Sequence, residues 1–221
     1  MAISVAGTAN GGGGPATPNL PGTPAQNDLI VVATGTVGGN TYDVTTSGYT
    51  TVATLDGGNA KLRLYAKRMG GSPDSTVDIG PNAGAYAIWN MRGVDTTTFE
   101  DAVAIITDKS GGGVGEGYDS ESITTVTANA WVFTGMSLGF SLADPSGAPS
   151  TFGNFVKGDF TSPNTVCVAG AWKEKATAGA EDPGVFPDAD SNGSTVVSWA
   201  IRPAAAAAGG NSKNMLLMGV G

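Results

Sequence analysis

Turn-forming residues interrupt this chain at short intervals, and no ten-residue segment places apolar side chains at the 3.6-residue spacing of a helix. Glycine and proline supply 35 and 12 of the 221 residues. Both disfavour long helices, because glycine costs backbone entropy and proline removes a hydrogen-bond donor. Short β-branched and aromatic runs lie between the interruptions, a pattern typical of strands joined by turns. The sequence therefore predicts an all-β fold.

Eight runs of strand length lie between clusters of Gly, Pro, Asp or Asn: 28–34, 61–67, 85–92, 102–106, 122–127, 131–142, 165–172 and 196–202. The first is apolar throughout and suits a strand buried on both faces. In the second, Leu62, Leu64 and Ala66 share one face and charged or polar residues share the other. A total of about nine or ten short strands favours an antiparallel two-sheet β-sandwich with jelly-roll-like connections.

The chain is expected to hold one domain with an extension at each end. Residues 1–27 predict an N-terminal strand and a Gly/Pro-rich extended lead-in, and residues 28–203 predict the sandwich. Residues 204–221 read as an Ala/Gly tether followed by an apolar C-terminal arm. The apolar residues of this arm are Met215, Leu216, Leu217, Met218 and Val220. Leaving them in water is unfavourable, so the arm should dock either on its own domain or on a neighbouring subunit. Docking on another chain of an assembly is the favoured interpretation.

The composition excludes several classes of function. The chain has no histidine, which removes imidazole bases, Ser-His-Asp and Cys-His pairs and the zinc-binding HExxH helix. Its net charge of -8 disfavours nucleic acid and anionic membrane surfaces as partners. The longest apolar tract, 215–220, is far below the roughly 20 residues that span a bilayer, and no secretory signal is expected at the N-terminus. We expect no catalytic residues and no cofactor.

One acidic turn partly resembles a calcium-binding loop. Its candidate ligands are Asp188, Asp190 and Asn192, followed by a glycine at the position of the sharp turn. The position that should supply a bidentate glutamate holds Trp199 instead, and a strand is predicted where the loop's second helix should begin. A polar turn between strands is the favoured interpretation, and the three residues remain a weak metal candidate.

A glycine-rich loop follows the strand predicted at 102–106. It does not match a phosphate-binding loop, because its lysine and serine precede the glycines and no helix follows. We expect a surface loop that could present polar groups and an aromatic ring to a ligand. The candidate ligand-contacting residues are Gly111, Gly113, Glu116 and Tyr118.

Other chemistry-bearing residues have simpler interpretations. The adjacent acids Glu100–Asp101 and Glu181–Asp182 could serve glycoside hydrolysis only if they faced another acid across a sugar, and solvated loop residues are the expected reading. Cys167, between two valines, is predicted to be a small buried hydrophobe. The four tryptophans are expected in the core or at sheet edges, with about one of them exposed.

Several of these runs together resemble a family of small β-sandwich virion proteins of tailed bacteriophages. The resemblance covers roughly residues 17–203. It is carried by a Pro/Gly-rich lead-in ending in NDLIVVA (27–33), GYTTV (48–52), LRLYAK (62–67), YAIWNMRGVD (86–95) and VSWAIR (197–202). These are core and turn patterns without catalytic residues, and related sandwiches occur on heads, tails and fibres.

The resemblance implies a non-enzymatic structural protein, displayed on the virion surface as a capsid decoration or a tail-tip or fibre component and assembled in the host cytoplasm. The implied partners are other virion proteins and further copies of the chain, with a homotrimer expected. The alternative is a carbohydrate- or host-receptor-binding module of the phage tail, which would add a host surface glycan as partner.

Overall fold

The computed structural model describes residues 2–57, 60–109, 119–139, 144–161, 165–187 and 193–205. Within these ranges the protein contains strands and no helix, and therefore no helix that could cross a membrane. The strands are β1 (Ser4–Gly13), β2 (Leu29–Val37), β3 (Tyr42–Val44), β4 (Thr50–Asp56), β5 (Ala60–Arg68), β6 (Ile79–Pro81), β7 (Gly84–Arg92), β8 (Glu100–Asp108), β9 (Ile123–Thr125), β10 (Ala130–Gly139), β11 (Gly153–Phe160), β12 (Val166–Lys175), β13 (Gly179–Glu181) and β14 (Ser194–Ile201).

Two five-stranded antiparallel sheets pack face to face, which confirms the predicted β-sandwich. The first sheet has the order β1-β7-β2-β5-β4 and the second has the order β11-β12-β10-β14-β8. Two short ribbons, β3–β6 and β9–β13, complete the described strands. Each large sheet is formed by one continuous half of the chain.

The two sheets have the same strand order. When the strands of each sheet are numbered along the chain, both sheets read first, fifth, second, fourth, third from one edge to the other. The two strand orders run in opposite directions across the sandwich. The first strand of one sheet therefore lies against the third strand of the other, β1 against β11 and β4 against β8. The sandwich is therefore pseudo-twofold symmetric in its topology.

Equivalent positions in the two halves hold similar residues. Trp89 pairs with Val31 in the first sheet, and Trp199 pairs with Phe133 in the second. Four residues before Val31 and Phe133, an asparagine adopts a positive φ angle in each half, at 72° in Asn27 and 59° in Asn129. Asparagine tolerates this left-handed conformation better than most residues. An asparagine in the left-handed conformation therefore precedes the central strand of each sheet, β2 and β10.

Large aromatic side chains fill the space between the sheets. Trp89, Phe133, Trp172 and Trp199 are buried there. The ring centroids of Phe133 and Trp172 are 4.8 Å apart, and those of Trp89 and Phe133 are 5.2 Å apart at a steep angle. Edge-to-face and tilted contacts of this kind stabilise aromatic cores beyond simple burial. Smaller apolar clusters also cover the outer faces of both sheets, which explains why every residue of β2 is buried.

The two sides of the sandwich close differently. On one side, called the closed edge, the backbones of β1 and β11 touch through glycines. A Cβ on Gly158 of β11 would collide with the Tyr86 carbonyl oxygen and lie 2.7 Å from the Gly11 carbonyl oxygen. The Asn10 side-chain amide also donates to the Lys157 carbonyl at 2.6 Å. On the other side, the open edge, β4 and β8 are separated by side chains such as Val52 and Ile106.

Candidate assembly surface

Strand β8 ends the second sheet and exposes apolar side chains. Val103 is 71% exposed and Ile105 is 40% exposed, whereas Ala104 and Ile106 pack on the core between the sheets. Among the described residues, β14 is the one strand that pairs with β8. The outer side of β8 therefore presents apolar area next to the backbone groups of an edge strand.

The middle of β8 has the composition of a strand that pairs readily with other strands. Residues 102–107 read Ala-Val-Ala-Ile-Ile-Thr, with no charge, no proline and no glycine. Segments of about six such residues favour intermolecular β-pairing when they are accessible. Natural edge strands usually prevent this pairing with lysine, proline or a covering loop. In β8 the charged residues stand only at the two ends of the strand, at Glu100, Asp101 and Asp108.

A bulge explains why Val103 is so exposed. In the pairing of β14 with β8, Ser198 stands opposite Ile105 and Ala200 stands opposite Ala102. Two residues of β8, Val103 and Ala104, therefore occupy the space opposite one residue of β14. Such an extra residue bends the strand and redirects a side chain. Here Ala104 keeps its place in the core and Val103 is turned outward.

A buried carboxylate fixes the start of β8. The Asp101 side chain is fully buried and accepts a hydrogen bond from the Val126 N–H at 2.8 Å and another from the Thr127 N–H at 3.3 Å. It also accepts from the Thr127 hydroxyl and pairs with Arg202 at 3.4 Å. These contacts hold the turn after β9 against β8. They place Val126, which is 64% exposed, near the same surface.

The strand that faces β8 across the open edge is polar on its exposed positions. In β4, the exposed side chains are those of Thr50, Thr51, Thr54 and Asp56. The exposed apolar side chains of the open edge are therefore contributed by β8. We name the outer side of β8, with Val103 and Ile105, the β8 surface and treat it as the candidate site.

The three sets of site residues predicted from the sequence lie outside the described residues. These are the weak metal candidate, the ligand loop and the apolar arm: Asp188, Asp190, Asn192, Gly111, Gly113, Glu116, Tyr118, Met215, Leu216, Leu217, Met218 and Val220. The strand expected after the acidic turn is confirmed, because β14 begins at Ser194 and buries Trp199 completely.

The residues that flank the candidate ligand loop are polar and paired. Lys109 donates to Glu121 at 2.7 Å, and this hydrogen bond holds the pKa of Glu121 below its usual value. Burial and the nearby carboxylate of Asp182 raise the pKa of Asp119. Asp119 also forms an isolated β-bridge with Val185. The residues on the two sides of the loop are therefore tied to Glu121 and Val185.

The adjacent acids have structural partners. Trp199 donates its indole N–H to Glu100 at 3.3 Å, and Asp101 is held as described above. Glu181 is buried and pairs with Lys173 at 2.5 Å and Lys175 at 3.1 Å. Burial alone would raise the pKa of Glu181, but the two lysines outweigh it and lower the pKa. These contacts hold the carboxylates in the fold. The expectation of solvated loop residues is therefore wrong for Asp101 and Glu181, which are buried in β8 and β13.

Three of the four tryptophans, Trp89, Trp172 and Trp199, are completely buried, and Trp131 is half-buried. The expectation that they serve the core is confirmed for these three. Their rings contact one another and Phe133 inside the sandwich, so they are not available to stack on a sugar. Trp131 packs partly against the same core.

One cluster has the residue types of a metal site. Asp144, Asp159 and the buried Cys167 bring their ligand atoms within 4.8 Å of one another. However, the Lys157 ammonium lies 3.3 Å from a carboxylate oxygen of each aspartate and supplies the positive charge that they need. Burial and the two carboxylates raise the pKa of the Cys167 thiol, which keeps it protonated. The side chains of Asp144, Asp159 and Lys157 are partly exposed, so this cluster is an ion-pair network at the surface beside a buried thiol.

An open cleft of about 590 Å³ lies near the ends of β7 and β14. Asp95, Glu174 and Arg202 give it mixed charge. Backbone hydrogen bonds from Thr98 and Thr97 lower the pKa of Asp95, and the Arg202 guanidinium is already engaged by Asp101. Asp95 and Arg202 are therefore engaged by neighbouring groups of the fold.

The sequence predicts a strand at 102–106, but it does not indicate that one side of this strand is an exposed apolar surface. A signal was present, because this is a strand-length run with neither charge nor glycine in its middle. The exposure of Val103 depends on the bulge and on the position of β8 at the end of its sheet. Neither feature can be read from a single strand.

Comparison with models of known protein families, with curated proteins and with solved structures finds no match to this chain.

Proposed function

We propose that this protein is a non-enzymatic structural protein of a tailed-phage virion, displayed on the particle surface as a capsid decoration or as a tail-tip or fibre component. In this role it stabilises assembly through contacts between subunits. The virion part of the proposal comes from the resemblance of the core and turn patterns. The assembly part comes from the physical chemistry of the β8 surface.

The β8 surface is the observation that carries the proposal. An edge strand with exposed Val103 and Ile105 and no charge between Ala102 and Thr107 is a liability for a protein that stays monomeric. It becomes useful when another chain covers it, because the new strand gains backbone hydrogen bonds and buries the apolar side chains. Contacts of this kind stabilise each subunit by mass action.

The charged residues support a structural role. Lys173, Lys175 and Glu181 form one ion-pair network, and Asp101 with Arg202 forms another. The first network ties β13 to β12, and the second ties the residue after β14 to β8. Charges used in this way stiffen a scaffold, and their pairing leaves them poorly placed to act as general acids or bases.

The alternative function is a carbohydrate- or host-receptor-binding module. It would depend on the loop that contains Glu116 and Tyr118, which lies outside the described residues. Sugar binding usually needs exposed aromatic faces, and the rings of Trp89, Trp172 and Trp199 are inside the core. We therefore favour the assembly role over the binding role.

Immunogold labelling of purified particles tests the proposal. The antibody is raised against the exposed turn at 70–75, which follows β5. Gold over the head supports a capsid decoration, and gold confined to the tail supports a tail-tip or fibre component. The same antibody is used on a blot of denatured, purified particles, so that an epitope hidden by assembly is still detected. Absence of the chain from this blot overturns the virion proposal.

A further inference from the structure

We infer that the β8 surface of one copy is covered by the apolar segment 215–220 of another copy, added as an antiparallel strand to the outer edge of β8. This inference rests on the proposed function, because it names the partner through which the subunits assemble. The segment belongs to the part of the chain after Ala205 that the structure does not describe.

The chemistry of the two segments is complementary. Segment 215–220 reads Met-Leu-Leu-Met-Gly-Val, and it contains no proline that would remove a ladder hydrogen bond. In an extended strand Leu216, Met218 and Val220 share one face. Such a row can cover the side chains of Val103 and Ile105, which remain exposed on the edge strand among the residues that the structure describes. Both partners bury area that is otherwise unfavourable in water.

The charges also favour this occupant. The protein has a net charge of -8, and β8 has acidic residues at both ends. An acidic partner strand, including a second β8, would place carboxylates opposite these residues. Segment 215–220 has no charged side chain, and the nearest charged side chain along the chain is that of the positive Lys213. Pairing of the segment with β8 therefore adds no repulsion between side chains.

The length of the connecting chain favours pairing between copies. Strand β14 ends at Ile201 opposite Glu100, so the chain leaves the sandwich near the start of β8. To pair antiparallel with its own β8, the segment would first have to reach the Asp108 end, about 27 Å away. The nine residues 206–214 span at most about 30 Å when fully extended, so they would only just cover this distance and would leave almost no chain for the reversal of direction that antiparallel pairing needs. A second copy can accept the segment without this constraint.

A contact of this type passes from one copy to the next and uses two different surfaces. Such heterologous contacts form closed rings when the rotation between copies closes. The inference therefore agrees with the expected homotrimer, in which each copy would give one segment and receive one. The same arrangement leaves no β8 surface uncovered.

Disulfide trapping between full-length chains tests the inference. One sample of chain carries Val103→Cys, and two other samples carry Leu216→Cys or Leu217→Cys. The Val103→Cys chain is mixed with each of the others under mild oxidation, and the products are identified by mass spectrometry. Because adjacent residues of a strand face opposite ways, one of the two mixtures should form about tenfold more cross-linked heterodimer than the other.

The control places the new cysteine at another exposed valine. Val185 is 48% exposed and lies outside β8, so Val185→Cys reports random collisions between chains. The native Cys167 does not interfere, because it is buried and burial raises its pKa. The thiolate that disulfide exchange requires is therefore not formed at this position.

Three results would overturn the inference. The first is equal cross-linking by Val103→Cys and Val185→Cys, and the second is equal cross-linking of Val103→Cys to both arm positions. The third result concerns a double variant, in which one chain carries Val103→Cys together with either Leu216→Cys or Leu217→Cys. Formation of the disulfide only within single chains of this variant would show that the segment pairs with its own β8. Particles labelled as proposed but without the cross-link would refute only this inference. A cross-link in a chain absent from particles would refute only the virion proposal.

Discussion

The closed edge and the open edge are equivalent in topology, because each one combines the first strand of one sheet with the third strand of the other. They differ in the residues that form them. At the closed edge, Gly12 and Gly158 let the backbones of β1 and β11 touch, and a side chain at either position would collide with the opposite strand. At the open edge, β8 has no glycine and its side chains keep the strands apart. Pseudo-symmetry of strand order therefore does not require equivalent surfaces. The residues at the edges decide which side is sealed and which remains accessible.

The largest expected effect comes from filling the closed edge. Gly158→Val should destabilise the protein by about 3 kcal/mol or prevent folding, because the new side chain overlaps backbone atoms of β1 and β7. The matched control is Gly153→Val on the same strand, where a Cβ meets nothing within 4 Å. Both are compared with the parent chain by urea unfolding. A similar loss in the two variants would mean that β11 simply needs glycine, and the contrast between the edges would fail.

The next effect concerns the anchor of the open edge. Asp101→Ala should cost about 2 to 3 kcal/mol, because it leaves the N–H groups of Val126 and Thr127 without their acceptor in a buried place. The exposed Asp182, which accepts one hydrogen bond from Gly184, provides the control Asp182→Ala. The free energy of unfolding is measured for both variants. Equal values would show that the buried network does not hold β8.

The charged residues near the two edges should contribute to the free energy of unfolding with opposite dependences on pH. Glu121 lies near the end of β8 and its pKa is lowered by Lys109, so its contribution is present above pH 4.5 and is lost as the pH falls through its folded pKa. Burial lowers the pKa of Lys157 in β11, but the carboxylates of Asp159 and Asp144 raise it by a larger amount. The pKa of Lys157 is therefore above its usual value of 10.5. Its contribution is therefore present below pH 10.5 and is lost as the pH rises through its folded pKa.

Two neutralising variants measure these contributions. Glu121→Gln and Lys157→Gln should each destabilise the protein at pH 7 by about 0.5 kcal/mol or less, since both pairs are partly exposed to solvent. The deficit of Glu121→Gln should vanish in acid and that of Lys157→Gln in alkali, as measured by unfolding curves across pH. A deficit that stays constant with pH would mean that packing, not charge, is responsible.

The smallest effect on folding is expected at the β8 surface. Val103→Lys combined with Ile105→Lys should change the free energy of unfolding by no more than about 0.5 kcal/mol, because both side chains already face water. The same variant should lower self-association in sedimentation equilibrium, since lysine on an edge strand opposes pairing. Thr50→Lys with Thr51→Lys on β4 is the control and should leave association unchanged. A strongly destabilised β8 variant would show that this surface belongs to the monomer's own core.

The sequence predicted the fold class well, because strand periodicity and turn residues are local signals. All eight predicted runs overlap strands, including the fully buried β2. Strand β11 was not predicted, since Gly153, Lys157, Gly158 and Asp159 give its sequence the composition of a loop. The glycines are needed because β1 approaches so closely, and this contact spans residues far apart in sequence.

The candidate site was less accessible to sequence analysis. The apolar segment 215–220 was visible as a hydrophobic run, but the strand proposed to receive it was not. Val103 and Ile105 read as ordinary core residues until the order of strands places β8 at the end of its sheet. The internal repetition was also missed, because the halves share strand order and a few residues such as Trp89 and Trp199 and have little sequence in common.

The division of the chain into two contiguous sheets has a consequence during synthesis. When β7 leaves the ribosome, the first sheet has all its strands, but the strands that cover its inner face are still about 100 residues from complete translation. At typical elongation rates this interval lasts roughly 5 to 20 seconds. Through that time the inner face of the nascent first sheet, with Trp89, Leu64 and Val31, is exposed to solvent. The inner face of the first sheet is therefore buried only after the second half of the chain has been made, so the topology delays completion of the core until the end of synthesis.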